Sequence, residues 1–467
     1  MAVGNTHHGA ERIEQMLADC GSIFFIGIGG ISMSALAMLS VSEGYRVGGS
    51  DRNESRLIQR MREQGIEIFR GHDAAQVAPY DAVVYTVAIG EDNPEYRAAV
   101  ASGKPLISRA DYLGYLLSRF RARIGIAGMH GKSTCTAMCA DIFLAEADPT
   151  VFCGAELPSL GDMPCRIGRS REVALFEACE YMDSFLDFPP TVAVVLNIGM
   201  DHVDYFHSME QIYDSFNRFA QKTGRDGILI RNADDLHSRL AFADYRGRQV
   251  SFGVRSDADF TARELVFDQN GSSFDFCRDG KTLCRIQLGV SGEHNVTDAL
   301  AAATAAYLCG ISTDAIVRGL AGFVGAKRRM ERKGRLPCGA VVYDDYAHHP
   351  DEIRATLAGA RKMGFSRVLC AYQPHTFSRT AGLLDEFSQA FDDADRVFFV
   401  DIYAAREENV YGVTSATLAD RVGDRALYCG SFESTAEAIN AEAREGDLVI
   451  VMGAGDVFKV FPLLEIK

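Results

Sequence analysis

Short apolar runs alternate with stretches of helical periodicity from the start of the chain, and this alternation predicts an α/β fold. The first apolar run, 23–26, leads through a glycine turn into a helix of small residues expected at 31–43. Further strands are expected at 45–49 and 82–86. This order of elements is typical of a Rossmann-type unit, which we expect to close near Arg121.

The middle of the chain begins a second α/β unit. A strand expected at 124–127 runs into a glycine-rich turn and a helix. Further buried strands are expected at 173–176 and 192–196. Between 249 and 290 the pattern changes to short alternating strands, with hairpin turns expected at Asn270-Gly271 and Asp279-Gly280. We therefore expect a small antiparallel sheet appended to this unit.

Strands are expected again in the last third of the chain, at 340–343, 367–371, 396–400 and 448–452, with helices between them. A length of 467 residues suggests about three domains at about 150 residues each. The fold class expected is α/β, with three domains that each hold a mainly parallel, Rossmann-like or P-loop-type sheet flanked by helices. The expected domains are 1–122, 123–324 and 325–467.

Composition narrows the class of protein. The chain is 47% hydrophobic and 24% charged, which fits a folded globular protein and excludes a disordered one. A net charge of -15 disfavours binding to nucleic acid or to an anionic membrane. Neither an export signal nor a run of 18 apolar residues is present, and the 12 cysteines are scattered singly. We expect a cytoplasmic protein with reduced thiols.

A phosphate site is predicted where a strand meets a helix. The residues of this phosphate loop are Gly128, Met129, His130, Gly131, Lys132, Ser133 and Thr134. Backbone N–H groups at a helix N-terminus can cradle an anion, while the lysine reaches the terminal phosphates and the Ser133 hydroxyl can bind Mg²⁺. The spacing departs from the full P-loop, because Ile126 stands where its first glycine belongs.

Metal ligands are expected beside the phosphate loop. Glu177 and Glu180 follow one buried strand, and Asn197, Asp201 and His202 follow another. In an open α/β sheet both strand ends fall at the carboxyl edge, next to the phosphate loop. Phosphoryl transfer needs such ligands, since the ion must bridge the terminal phosphates. The sequence therefore predicts phosphoryl transfer that depends on a divalent metal ion, Mg²⁺ or Mn²⁺.

A second glycine turn, Gly27-Ile28-Gly29-Gly30, resembles a dinucleotide fingerprint, and Asp51 follows at the end of the next strand. An NAD-dependent oxidoreductase must therefore be considered. Ser32, however, stands where a third glycine would allow close helix packing, and NAD leaves the Lys132 loop unexplained. A nucleoside diphosphate substrate is preferred at this turn, because a pyrophosphate needs the same helix terminus whether its other half is nicotinamide or a sugar.

Ten motifs together resemble the Mur ligases over nearly the whole chain. They are GIGGISMSALA (27–37), GSD (49–51), YTVAI (85–89), EACEYMDSFL (177–186), NIGMDHVD (197–204), GEHN (292–295), DDYAHHP (344–350), QPHTFSRT (373–380), DIYAARE (401–407) and GAGD (453–456), together with the phosphate loop. The resemblance implies three domains that hold, in order, a UDP-sugar, ATP and an amino acid. It implies ATP-dependent joining of L-alanine to the lactyl carboxylate of UDP-N-acetylmuramate through an acyl phosphate, a step of peptidoglycan precursor synthesis.

The resemblance also implies roles for residues. Catalysis is expected of Lys132, which contacts the γ-phosphate, and of Glu177 and His202. Ser133 and Glu177 would bind one metal ion and His202 a second, with Glu180 a weaker metal candidate. The expected ATP contacts outside the loop are His294 and Asn295 at the base, and Arg329 with Asp344 or Asp345. The expected UDP-sugar contacts are Gly27, Gly29, Gly30, Ser32, Met33, Ser34, Asp51, Thr86, Ala88 and Arg109. The amino-acid pocket is expected at Tyr346, His348, His375 and Arg379.

Three departures from the family pattern affect contacts rather than the reaction: Asp298 replaces a usual Asn, Thr376 replaces an Arg of some relatives, and Met330 replaces a common aromatic residue. Two further alternatives stay open. A sister ligase would attach a peptide or another amino acid to the same UDP-sugar and differ around 375–379. A catalytically silent nucleotide-binding regulator would be expected to have lost Lys132, Glu177 or His202. The protein is expected to be a monomer or a homodimer.

Overall fold

The computed structural model describes residues 3–202, 205–268, 271–325, 327–405 and 407–467. Asn270 of one expected hairpin turn lies outside the described residues, as do Val203, Asp204 and Arg406 of the motifs. The chain forms two compact units. The first contains Met1–Thr261, Arg278–Gly280 and Leu300–Gly319, and the second contains Ala262–Cys277, Lys281–Ala299 and Leu320–Lys467.

The first sheet of the first unit has five parallel strands, in the order β3-β2-β1-β4-β5. The strands are β1 (Ser22–Ile26), β2 (Arg46–Asp51), β3 (Glu67–Arg70), β4 (Ala82–Tyr85) and β5 (Leu106–Ser108). The helices are α1 (Ala10–Leu17), α2 (Ile31–Ser42), α3 (Arg56–Glu63), α4 (Pro94–Ser102) and α5 (Arg109–Ser118). The strand order reverses between β1 and β4, so the glycine turn after β1 lies at the topological switch point, where ligands bind in such sheets.

The second sheet of this unit has the order β12-β11-β10-β6-β9-β7-β8. Its strands are β6 (Ala122–Ala127), β7 (Thr150–Leu157), β8 (Met163–Arg166), β9 (Val173–Glu177), β10 (Val192–Val195), β11 (Ile228–Asn232) and β12 (Gln249–Gly253). All neighbours are parallel except β7 and β8. Its helices are α6 (Lys132–Leu144), α7 (Met209–Gln221) and α8 (Leu236–Ala241). The central strand β6 delivers the phosphate loop between the ends of β9 and β10.

The small antiparallel sheet starts later than expected. The run 249–253 was assigned to it, but β12 pairs in parallel with β11 and extends the main sheet. The strands that follow are β13 (Phe260–Asp268), β14 (Gly271–Arg278) and β15 (Lys281–Leu288). They continue the same sheet, which has ten strands in the described part of the chain, and β13 is parallel to β12. The Asp279-Gly280 turn is confirmed, because it joins the neighbouring strands β14 and β15 in two residues, which only antiparallel strands allow. Two helices follow, α9 (Glu293–Leu308) and α10 (Thr313–Ala321).

The last sheet lies in the second unit and has the order β16-β17-β21-β18-β19-β20, in which only β16 is antiparallel to its neighbour. Its strands are β16 (Glu331–Arg335), β17 (Val341–Asp345), β18 (Val368–Tyr372), β19 (Arg396–Val400), β20 (Ala426–Gly430) and β21 (Leu448–Met452). Its helices are α11 (Pro350–Arg361), α12 (Phe377–Gly382), α13 (Leu384–Ser388), α14 (Ser415–Val422) and α15 (Phe432–Glu442). With three mainly parallel sheets flanked by helices, the expected α/β class is confirmed.

An N-terminal strap, residues 3–9, ties parts of the first unit together. Thr6 Oγ1 donates to Asp111 Oδ2 at 2.7 Å, and the backbone N–H groups of His8 and Gly9 donate to the same carboxylate. Asn5 Nδ2 donates to the carbonyl oxygen of Met182 at 3.3 Å. The strap therefore connects α5 to the segment that follows Glu180. Among the described residues, no helix is long and apolar enough to cross a bilayer.

Candidate functional site

The phosphate loop is a turn that only glycine can make at two positions. Gly128 and Gly131 have φ of 144° and 83°, in the region that favours glycine. A Cβ at Gly128 would lie only 3.1 Å from the Cβ of Leu196, so the turn also favours a residue without a side chain. Lys132 begins α6, and no side chain caps the helix N-terminus. Its first N–H groups are therefore available to an anion.

Asn197 holds the phosphate loop in shape. Its Oδ1 accepts a hydrogen bond from the His130 N–H at 2.9 Å, and its Nδ2 donates to the His130 carbonyl oxygen at 3.0 Å. The Asn197 carbonyl oxygen accepts a third bond from the Met129 N–H. Sequence reasoning placed Asn197 near the loop without a role. The signal for that role was its place directly after a strand that neighbours β6.

Lys132 and Glu180 form a buried ion pair. Lys132 Nζ lies 3.1 and 3.3 Å from the two carboxylate oxygens, and the Glu180 side chain is 1% exposed. Burial alone would raise the pKa of Glu180, but Lys132 and His202 outweigh it and hold that pKa below its usual value. Burial alone would lower the pKa of Lys132, but the charge of Glu180 outweighs burial, so the pKa is raised above its usual value. The lysine is charged and fixed at the loop, where it also donates to the Gly128 carbonyl oxygen at 2.5 Å.

His202 completes this cluster. Its Nε2 lies 3.5 Å from Glu180 Oε1, and its ring packs against Tyr181 at 4.6 Å between centroids. The backbone of His202 has a φ of 50°, a left-handed conformation that costs energy in a non-glycine residue. The structure thus brings Glu180, the weaker metal candidate, into direct contact with both Lys132 and His202.

Glu177 is connected to Ser133 of the phosphate loop through Cys153. Its Oε1 accepts hydrogen bonds from the Gly154 N–H at 2.5 Å and from the Cys153 thiol at 3.2 Å. Cys153, which sequence reasoning did not single out, also donates to the Ser133 carbonyl oxygen at 3.6 Å. The donors Ser133, Glu177, Glu180 and His202 offer hydroxyl, carboxylate and imidazole groups. Hard oxygen donors with one imidazole fit Mg²⁺ or Mn²⁺.

The first glycine turn is built around Asp51. The Gly29 N–H donates to Asp51 Oδ2 at 3.0 Å, and a Cβ at Gly29 would lie 2.8 Å from that oxygen. Gly27 has a φ of 81°, and a Cβ there would lie 2.7 Å from the Thr86 methyl carbon. Gly30 forms the N-cap of α2 without a side-chain bond. The sequence-predicted residues Gly27, Gly29, Asp51 and Thr86 are therefore close together.

The remaining expected UDP-sugar contacts lie in three different settings. Arg109 Nη1 donates to Ser32 Oγ at 3.2 Å, so these two residues lie together at the start of α5 and α2. The side chains of Met33 and Ser34 are buried instead, and the Ser34 hydroxyl donates to a carbonyl oxygen within its own helix. Ala88 follows Thr86, whose Oγ1 accepts a bond from the Ala88 N–H.

A buried polar cluster beside this turn was missed by sequence reasoning. Glu95 Oε2 lies 2.7 Å from Ser50 Oγ and 2.7 Å from His72 Nδ1. Burial raises the pKa of Glu95, although bonds from Ser50 and His72 oppose this. Ser50 precedes Asp51 in β2, so the cluster fixes the strand end that supports the turn. No short sequence motif indicates this cluster, because Glu95 lies 45 positions away from Ser50 in the sequence.

The second unit contains a cavity of about 250 Å³ that includes both expected base contacts, His294 and Asn295. Met330, Tyr343 and Thr356 also line it. Burial lowers the pKa of His294 to about 4, so its imidazole is neutral at physiological pH. A concave site that combines apolar side chains with fixed polar groups suits a heteroaromatic base. Asp298, one turn further along α9, is buried, and burial raises its pKa despite the nearby Arg329.

The two arginines of the linker contact different carboxylates. Arg328 Nε lies 3.5 Å from Asp344, and Arg329 Nη1 lies 3.7 Å from Glu352, while the expected contact of Arg329 and of Asp344 or Asp345 with ATP stays a prediction. The two guanidinium groups lie 5.0 and 5.2 Å from the centre of the Tyr346 ring. The backbone of Arg328 has a φ of 58°, in the left-handed region.

Asp344 and Asp345 end β17 in different environments. Asp345 accepts hydrogen bonds from the backbone N–H groups of Met330 and Ala347 at 2.8 and 2.9 Å, so it anchors the linker. Burial raises the pKa of Asp345, and Arg329 opposes the shift. Burial also raises the pKa of Asp344, to about 6.

The expected amino-acid pocket forms a row of rings. Tyr346 lies 5.5 Å from His348, His348 lies 5.8 Å from His375, and His375 stacks on Tyr403 at 5.5 Å. Arg379 Nη1 lies 3.2 Å from His375 Nδ1. All four expected residues are brought together, and Tyr403, which had not been assigned, joins them. The motif containing Tyr403 was noticed, but no residue in it had been given a role.

The structure gives a reason for threonine at position 376, where the family pattern has an arginine in some relatives. The φ of Thr376 is 67°, and its Oγ1 accepts a hydrogen bond from the Arg379 N–H at the start of α12. A short hydroxyl side chain makes this N-cap, which a guanidinium group cannot make. Glu407 reinforces the same helix start by accepting a bond from the Ser378 N–H at 2.8 Å.

Family models match most of the chain in three consecutive parts. The Mur ligase family, catalytic domain, matches 22–121; the Mur ligase middle domain matches 126–306; and the Mur ligase, glutamate ligase domain, matches 328–455. The chain is 43% identical over 440 residues to the UDP-N-acetylmuramate--L-alanine ligase of Clostridium beijerinckii, covering 93% of this chain and 95% of that one. It is 42% identical to the ligase of the same name from Acetivibrio thermocellus, covering 94% of each chain.

Solved structures agree with these matches. The UDP-N-acetylmuramate-alanine ligase of Thermotoga maritima superposes with a TM-score of 0.79 at 28% identity, covering 94% of this chain and 97% of that one. A murein peptide ligase of Psychrobacter arcticus has a TM-score of 0.69 at 22% identity, covering 95% and 98%, which establishes a shared fold. The phosphate loop, the acidic cluster beside it and the full-length matches lead to one conclusion: the chain belongs to the Mur ligase family.

Proposed function

We propose that this chain is an ATP-dependent ligase that joins L-alanine to the lactyl carboxylate of UDP-N-acetylmuramate, a step of cytoplasmic peptidoglycan precursor synthesis. The products are an amide, ADP and phosphate. The observation that carries the proposal is the contact of Lys132 with Glu180, and of Glu180 with His202, at a phosphate loop. The full-length similarity to two ligases that bear this name supports the choice of substrates.

A carboxylate resists attack by an amine, so the reaction needs an activating step. Transfer of the γ-phosphoryl group to a carboxylate oxygen gives an acyl phosphate, which the alanine amine attacks through a tetrahedral intermediate. Lys132 stabilises the charge on the phosphoryl group as it transfers, and Glu180 keeps the lysine charged and in place. The carboxylate oxygen that was phosphorylated leaves with phosphate, so the atoms balance.

Mg²⁺ or Mn²⁺ would be held by Ser133, Glu177 and His202, with Glu180 adjacent, and would offset the negative charge of the phosphates. Ser133 and Glu177 are linked through Cys153, whereas His202 contacts Glu180. These two sets of donors support the expectation of two ion positions beside one phosphate loop.

Each substrate has a supporting feature. The turn around Asp51 suits a pyrophosphate, with Arg109 and Ser32 close to the same helix start. The cavity at His294 and Asn295 suits the adenine base. In the ring-lined pocket, the Arg379 guanidinium can fork onto the alanine carboxylate. We assign these sites to domains 1–122, 123–324 and 325–467.

The experiment that tests the proposal measures phosphate release from ATP and Mg²⁺ with UDP-N-acetylmuramate. L-alanine, glycine, L-serine and a tripeptide are each added in turn, and Lys132→Met serves as the inactive control. We expect release that depends on both UDP-N-acetylmuramate and L-alanine. Release with the tripeptide alone would support the sister ligase. Absence of release with every acceptor, in folded protein, would support a silent regulator.

An isotope experiment tests the acyl phosphate itself. When both lactyl carboxylate oxygens are ¹⁸O, one label is expected in the released phosphate and one in the amide product. Phosphate without label would rule out phosphorylation of the carboxylate. Titration with NAD⁺ provides a further control, since binding at the Gly27 turn would favour an oxidoreductase.

A further inference from the structure

Glu352 is a largely buried carboxylate in the second unit to which the sequence assigned no role. It is the third residue of α11, and its side chain is 10% exposed. Its Oε2 accepts hydrogen bonds from the backbone N–H groups of His348 and His349 at 3.0 and 3.3 Å. The His349 side chain completes a capping box. These contacts explain why the helix starts here, but they use only one carboxylate oxygen.

The same oxygen faces the His348 ring. His348 Nδ1 lies 3.3 Å from Glu352 Oε2 and 3.1 Å from the Tyr346 carbonyl oxygen. Two acceptors at Nδ1 favour the tautomer that carries its proton there. These contacts fix the orientation of the His348 ring, and Glu352 supplies one of them.

The other oxygen faces a second site residue. Glu352 Oε1 lies 3.7 Å from Arg329 Nη1, and the Arg329 side chain is 25% exposed. Arg329 also contacts the face of the Tyr346 ring at 5.2 Å, so it is held from two directions. One carboxylate thus divides its oxygens between an expected ATP contact and an expected amino-acid contact.

We propose that Glu352 is a positioning residue for two substrates at once. It holds the Arg329 guanidinium group in place to contact ATP, and it orients the His348 ring in the amino-acid pocket. The inference rests on the proposed ligase function. UDP-N-acetylmuramate, which we assign to the first unit, should not be affected. A residue with only a structural role would not separate the substrates in this way.

Glu352→Gln separates the role of the side chain in the helix cap from its role as a negative charge beside Arg329. Glutamine keeps an oxygen for the helix cap, where it is as suitable as glutamate, and places an NH₂ group towards Arg329. Loss of a charge-assisted contact is expected to raise the KM for ATP about tenfold, and weaker support of His348 to raise the KM for L-alanine about threefold. The KM for UDP-N-acetylmuramate and the Tm should match those of the wild type. The matched control is Asp351→Asn, which removes an exposed charge from the same helix turn and should change none of these values.

A double-mutant cycle tests whether Glu352 acts through Arg329. Arg329→Gln leaves the helix cap intact, and in that background Glu352→Gln should raise the KM for ATP less than about twofold. Fully multiplicative effects would overturn the inference, as would an equal rise in all three KM values. Failure of the ligase proposal would look different, because the wild type itself would then release no phosphate that depends on L-alanine.

Discussion

Replacing Asp344 with asparagine is expected to stabilise the fold at neutral pH while reducing activity. The Asp344 side chain is 4% exposed, and burial raises its pKa from 3.8 to about 6, a shift that Arg328 opposes only in part. A carboxyl group whose folded pKa lies above its unfolded pKa binds its proton more tightly in the folded state. Its ionisation therefore destabilises the fold increasingly as the pH rises from 3.8 towards 6, and fully above 6.

The size of the effect follows from the shift. A difference of about 2 pKa units, at 1.36 kcal/mol per unit, gives a penalty of about 3 kcal/mol at about pH 7.5. At about pH 4.5, where only the unfolded state is mostly ionised, the same linkage gives about 1 kcal/mol. Asparagine is neutral at both pH values and avoids the penalty. In this variant the Arg328 guanidinium group keeps its hydrogen bond to the Gly453 carbonyl oxygen at 2.5 Å, so it still has a partner.

Urea titrations of wild type and Asp344→Asn at these two pH values measure the free energy of unfolding, and phosphate release measures activity. Asp395→Asn is the matched control of opposite sign. Burial would raise the pKa of Asp395, but its bonds from Arg361 and the Val368 N–H hold that pKa below its usual value. That variant should lose stability at neutral pH. The reasoning fails if Asp344→Asn is less stable than wild type at about pH 7.5, or if the difference does not shrink on acidification.

Three further substitutions test other parts of the molecule. Asn197→Ala removes both side-chain bonds to His130, and we expect the KM for ATP to rise about tenfold, measured by phosphate release, with little change in Tm. Glu180→Ala leaves Lys132 buried without its carboxylate and should cost about 3 kcal/mol of unfolding free energy in a urea titration, an expectation refuted by wild-type stability. Gly29→Ala places a methyl group against the neighbouring carboxylate and should raise the KM for UDP-N-acetylmuramate, whereas an equal rise in the KM for ATP would count against the assigned site.

The sequence was a good guide to elements whose boundaries are marked by glycine and by apolar runs. The expected strand at 192–196 is observed as Val192–Val195, and the expected strand at 448–452 matches Leu448–Met452. The five residues of β12 were assigned to the wrong kind of sheet. Alternation along a strand reports which faces are buried, not the direction of the neighbouring strand, so its pairing with β11 was not available from the pattern.

The candidate site was predictable in its residue types and less so in its pairings. Glu180 and Glu177 stand in one short motif, and Glu180 was considered the weaker metal candidate. Only the fold shows that Glu180 is buried against Lys132. The contact of Arg329 with Glu352 was not predicted, because no short motif joins these two residues. Contacts across long separations, such as Ser50 with Glu95, cannot be inferred from the pattern of a single sequence.

Because Val3 is buried and Thr6 is bound to Asp111, an affinity tag or a fluorescent label placed next to Val3 would be attached almost directly to folded structure. A tag that pulls on the strap would act on the carbonyl group of Met182 through Asn5, two residues from Glu180. Lys467 offers no looser attachment point, since its N–H donates to the Arg335 carbonyl oxygen. Surface immobilisation is better made through Cys338, which is exposed in the turn between β16 and β17.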